Sequence, residues 1–71
     1  MSARGELTVK LVFIFNTSDK EWYLDHCNIQ KYLDDILVLN QTVRRDEFGE
    51  IPAKDFDIYE FNPFVFLRKG R

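Results

Sequence analysis

The sequence predicts an α+β fold, a small mixed sheet with one helix packed on one face, in ββαββ order. Three observations predict it. Leu7 to Asn16, LTVKLVFIFN, alternates with period 2, as a strand does. Ile29, Tyr32, Leu33, Ile36 and Leu37 follow the i, i+3, i+4, i+7, i+8 spacing of a core-facing helix stripe. Asp55 to Arg68 becomes strand-like again, interrupted at Asn62-Pro63.

In the first strand, Leu7, Val9, Leu11, Phe13 and Phe15 share one side. The other side begins polar at Thr8 and Lys10 and turns apolar at Val12 and Ile14. A strand half-covered at its start and sandwiched later is expected at the centre of a sheet. The polar cluster Asn16-Thr17-Ser18-Asp19-Lys20 reads as a hairpin loop leading to a second strand, Glu21 to Cys27. There Trp22, Leu24 and His26 would share one face, and Tyr23, Asp25 and Cys27 the other. Ser18-x-x-Glu21 also fits a capping box, which would open a long helix from residue 18 to 40 and give a βαββ order. The hairpin is favoured because Asn28, a good N-cap type, stands one residue before the apolar stripe.

The helix would run from Asn28 to near Asn40, with Gln30, Lys31, Asp34 and Asp35 on its wet side. Gln41 to Lys54 reads as a charged connector punctuated by Gly49 and Pro52, pinned by Val43, Phe48 and Ile51. Asn62-Pro63 suits a type I turn, making a second hairpin of the last segment. Met1 to Gly5 is expected to be a lead-in, and residues 1–71 one small domain with its ordered core over about 6–69. The ββαββ order resembles the β-grasp, or ubiquitin-like, architecture. The chain ends Lys69-Gly70-Arg71 without a terminal diglycine, so a conjugatable modifier is not expected.

A chain of 71 residues has a thin margin of stability. A single cysteine, Cys27, excludes an internal disulfide, and no paired His/Cys spacing suggests zinc. The core must therefore carry the fold, and the composition suits that: 45% hydrophobic and 15% aromatic, with seven Phe. A net charge of −2 argues against a general nucleic-acid binder. No apolar run is long enough for a membrane helix and the N-terminus lacks a signal-peptide pattern, so a cytoplasmic, reducing setting is expected.

Catalytic residues, metal ligands and cofactors are not expected. His26 and Cys27, adjacent on a strand, would face opposite ways, and there is no second His to serve a nucleophile. Asp34 and Asp35 would diverge by about 100° on a helix, too far apart in direction for an acid–base pair. The remaining candidates suit partner binding. Trp22, Tyr23, Phe48, Tyr59, Phe61 and Phe64 are rings of which a one-sided helix would leave some exposed. Asp46, Glu47, Glu50 and Asp57, with Asp55 and Glu60, form an acidic stretch, and Arg68 and Lys69, with Arg71, a basic tail, giving two electrostatic poles.

The expected function is a non-enzymatic protein-binding module, a small adaptor or inhibitor of the viral or phage kind, docking through an aromatic-bearing sheet face. Alternatives are a subunit of a larger assembly, including a homodimer, and a weak single-stranded nucleic-acid binder using stacked aromatics.

Overall fold

The computed structural model describes residues 4–67. Its frame is a three-stranded antiparallel meander: β1 (Gly5–Asn16), β2 (Glu21–Leu33) and β3 (Ile36–Arg44), in spatial order β1-β2-β3. A one-turn helix, α1 (Arg45–Phe48), and two short 3-10 turns, Ala53–Asp55 and Pro63–Phe66, complete the chain. The ββαββ order with a helix lying on a mixed sheet is not the fold, nor is the long helix over residues 18 to 40.

The first hairpin forms as an antiparallel pair running from Asn16↔Glu21 to Gly5↔Leu33. Its loop is held by Asx contacts: Ser18 N–H donates to Asn16 Oδ1 at 2.8 Å and Glu21 N–H to Asp19 Oδ1 at 3.1 Å. Ser18 and Glu21 therefore shape a turn and do not cap a helix. β1 is a sheet border, which corrects its expected central place. β2 is the central strand, flanked by β1 along its whole length and by β3 from His26 to Leu33. Where β3 stops, Ile51 takes over the ladder: Leu24 N–H donates to its carbonyl at 2.9 Å, and Tyr23 bridges to Pro52. Gly49, at φ 82, reverses the chain between α1 and this return, a conformation that disfavours any side chain.

The expected helix over residues 28–40 is the rest of β2, a two-residue turn and most of β3. Its stripe has a second geometric meaning. Leu33 pairs with Ile36 and Tyr32 with Leu37 across the turn, so helical spacing coincides with cross-strand partnership. Asp34 and Asp35 sit at φ 50 and 67, the two positive values of a type I′ turn, which Asp tolerates. Arg4 fastens the turn: its carbonyl accepts from Asp34 N–H at 2.8 Å, and its N–H donates to Asp34 Oδ1 at 2.9 Å.

Asp35→Gly is expected to stabilise the protein. Left-handed backbone costs a side-chain-bearing residue about 1–2 kcal/mol, and the extra entropy of Gly returns about 0.5–1 of that. The melting midpoint should rise by about 2–8 °C in a thermal scan. A fall would mean that residue 35 is not left-handed.

Two bulges set the faces. Val12 pairs with His26 and Phe13 with Leu24, leaving Asp25 extra on β2. Lys31 pairs with Leu39 and Tyr32 with Leu37, leaving Val38 extra on β3. Directly opposed residues share a face, so the first bulge places Trp22, Leu24 and Cys27 with Leu7, Val9, Leu11, Phe13 and Phe15. His26 is turned to the other side and Cys27 to this one, which corrects the expected grouping of His26 with Trp22 and Leu24 and of Cys27 with Tyr23 and Asp25. The face opposite is largely polar and has its own ladder: Asn28 Nδ2 donates to Asn40 Oδ1 at 2.9 Å and to Thr42 Oγ1 at 3.1 Å.

The apolar face is covered by irregular chain, not by a helix. Cys27, Ile29 and Val43 are fully buried, packed by Leu11, Leu39, Phe48, Phe61, Phe66 and Leu67, and Leu24 is buried beside the returning Ile51. Phe48, Phe56, Phe61 and Phe66 form a ring cluster with centroids 5.3–6.5 Å apart, and Phe56 meets Phe13 edge-on at 5.6 Å. The strands and second hairpin expected over residues 55–68 do not form in the described part. Asn62 instead caps the last 3-10 turn, its Oδ1 accepting from Phe64 N–H at 3.0 Å, with Pro63 buried at the first position.

Candidate functional site

The partner-binding residues expected from sequence do not converge on one surface. Trp22 and Tyr23 lie at the loop end of the first hairpin on opposite faces. Trp22 is half exposed and packs on Phe15, ring centroids 5.1 Å apart. The Tyr23 hydroxyl donates to Asp19 Oδ2 at 2.5 Å, and that bond, more than any other influence, pushes its pKa up to about 12. Phe48 and Phe61 belong to the cover cluster. Tyr59 is 96% exposed beside Asp57, whose Oδ1 accepts from Tyr59 N–H at 2.9 Å. Phe64 is partly exposed near the opposite end of the sheet.

The acids are also dispersed. Asp46 and Glu47 lie in the first turn of α1, where the backbone N–H groups favour negative charge. They directly follow Arg44 and Arg45, and Glu47 Oε2 accepts from Arg44 N–H at 3.4 Å. Glu50 is exposed in the loop that follows. Arg68 and Lys69 lie outside the described residues.

His26 Nδ1 stands 2.7 Å from Asp25 Oδ2, and this hydrogen bond is the main cause holding the Asp25 carboxyl below its ordinary pKa. Cys27 cannot join them as a nucleophile. It lies on the opposite face, wholly buried, and burial pushes its thiol up. Among the described residues, no three His, Cys, Asp or Glu side chains gather as a metal site, and no helix is long and apolar enough to cross a membrane.

The surface that stands out shares only Phe64 with the sequence-based set. The molecule measures 53 × 22 × 19 Å, with a radius of gyration of 14.5 Å against about 11 Å for a compact domain of this length. The cover ends before the sheet does. Toward the type I′ turn, Leu7 is 54% and Ile36 65% exposed, with Val9 and Leu33 at 39%. A shallow groove runs there between Leu7, Leu39, Phe64 and Leu67, with Lys31 at its mouth. Beside it lies the free edge of β1, along which no strand pairs among the described residues.

That edge has little protection. Natural edges are usually interrupted by bulges, prolines or inward charges. Both bulges here place their extra residue elsewhere, on β2 and β3. β1 is twelve residues long without proline, and Lys10 is its one cation. The signal was present in LTVKLVFIFN, whose length and alternation fit a sheet border as well as a sheet centre.

Fold and surface together define a β-meander with an aromatic cover, a long unbulged edge on β1 and an apolar strip alongside it. Against known proteins, the chain matches no family model, no curated sequence and no solved structure.

Proposed function

We propose that this protein is a non-enzymatic protein-binding module, a small adaptor or inhibitor, that takes an extended partner segment along the free edge of β1. The observation that carries this is the coincidence of an unbulged twelve-residue edge with uncovered Leu7 and Val9 on the same strand. Strand addition there would satisfy the open N–H and C=O groups, while the apolar strip takes alternate side chains of the incoming segment. Irregular chain, not a long helix, covers the sheet, so the free edge of β1 is what supports docking. The lone buried thiol of Cys27 suits a reducing, cytoplasmic setting.

The doubly substituted Leu7→Lys/Val9→Lys protein tests the edge. Both positions are exposed, so the variant should fold, while lysines on this strip should repel an added strand. A partner captured from native extract by the unmodified protein should be lost with the variant and should slow hydrogen exchange of β1 amides. Equal recovery by both proteins, or unchanged exchange, would sink the proposal.

A further inference from the structure

Resting on the edge-docking reading, we infer that the strand received by β1 is β1 of a second copy, paired antiparallel about a two-fold axis at Thr8. Such an isologous contact would join two meanders into one six-stranded sheet.

The charges of β1 select this register. With Thr8 opposite its own symmetry mate, Glu6 of each copy faces Lys10 of the other on the polar face. Leu7 faces Val9 of the other copy on the apolar face. Opposite charges, Thr–Thr and apolar pairs are the favourable cross-strand neighbours. The other symmetric registers lack this match. Centring on Lys10 sets Lys10 against itself, and centring on Leu7 sets it against Arg4. Centring on Val9 sets Glu6 against Val12, and centring on Leu11 sets Lys10 against Val12. A slip by one residue would join the apolar face of one copy to the polar face of the other.

Glu6 already holds Arg4 of its own chain, Nη2 to Oε2 at 3.2 Å on the exposed edge, so an incoming lysine would complete a three-charge group. The axis also gathers Leu7 and Val9 from both copies into one apolar cluster, covering part of what each chain alone leaves bare. Lys10, which guards the edge of a single copy, becomes the residue that aligns the pair.

Sedimentation equilibrium on the full chain, from micromolar to millimolar concentration, should show a dimer. Lys10→Glu and Glu6→Lys should each weaken it by about tenfold or more, because each places like charges opposite at two related sites. The combined Glu6→Lys/Lys10→Glu protein should recover it. Under mild oxidation, Thr8→Cys should form a disulfide-linked dimer, its Cα atoms meeting at about 4.5–5.5 Å. Lys10→Cys should not, since those positions would lie about 14 Å apart. Cys27 is buried and does not compete.

A monomer at every concentration overturns the second copy as occupant, whereas the docking function falls only on the Leu7→Lys/Val9→Lys capture. A dimer indifferent to both charge reversals, or one that cross-links as readily at residue 10 as at residue 8, overturns the register.

Discussion

Ile29→Ala is expected to remove about 2–5 kcal/mol of stability. A 71-residue domain holds only about 4–11 kcal/mol in total. Ile29 is fully buried at the middle of the central strand, opposite Val9 and Gln41, in the cluster that also holds Cys27 and Val43. Those neighbours are fixed by strand pairing and cannot close over the space. The cavity contribution should therefore add to the lost transfer free energy. Urea titration should show a large fall in midpoint with an unchanged slope. A loss below about 1 kcal/mol would mean that the cover does not pack on β2.

Phe61→Ala should separate the cover from the sheet. The Phe61 ring lies 5.8 Å from Phe48, 5.3 Å from Phe56 and 6.5 Å from Phe66, so it joins the three other rings of the cover cluster. Phe61 is partly buried, so deleting its ring should cost less than the about 3–5 kcal/mol of a fully buried one. Backbone hydrogen bonding anchors the cover to β2 chiefly through Leu24 and Ile51. The loss should appear as faster hydrogen exchange over residues 51–67, with the β1–β2 and β2–β3 ladders still protected. Tyr59→Ala is the matched control: Tyr59 is 96% exposed, and its removal should change stability by no more than about 0.5 kcal/mol. Uniform exchange across sheet and cover in the Phe61 variant would show that the two do not come apart.

The border position of β1 changes what its sequence means. A strand with Val12 and Ile14 on its second face reads as sandwiched. Here the neighbouring ring of Tyr23 partly shelters that face from across the pair, and no second layer is needed. The same holds for the terminal phenylalanines. The segment over residues 55–66 resembles a strand, but Phe56, Phe61 and Phe66 meet in a ring cluster beside 3-10 turns and the Asn62 cap. Aromatic clustering requires no ladder, so period-2 spacing carried no backbone information in that segment.

Residues near one another in the chain settled several features unaided. The polar run after Asn16 returns the chain into an antiparallel partner because Asn16 and Asp19 bind the turn's own N–H groups. Burial of Cys27 follows from a small apolar side chain on a strand in an aromatic-rich chain. Phe48 and Ile51 pin the segment after β3, whereas Val43, expected in the connector, is buried within β3, so Gln41 to Arg44 are strand and the connector starts later than expected.

Tertiary structure alone decided whether Ile29 to Leu37 forms a helix or two strands. Both patterns are met at Leu33 and Ile36, which stand at the helical i, i+3 spacing and are also partners across the two-residue turn. With β1 paired to β2 over its whole length, the extended form is the one that buries Ile29 and continues the sheet. The open edge is likewise a property of the whole arrangement: a strand cannot encode its own lack of a second neighbour, because that depends on where every other segment comes to rest.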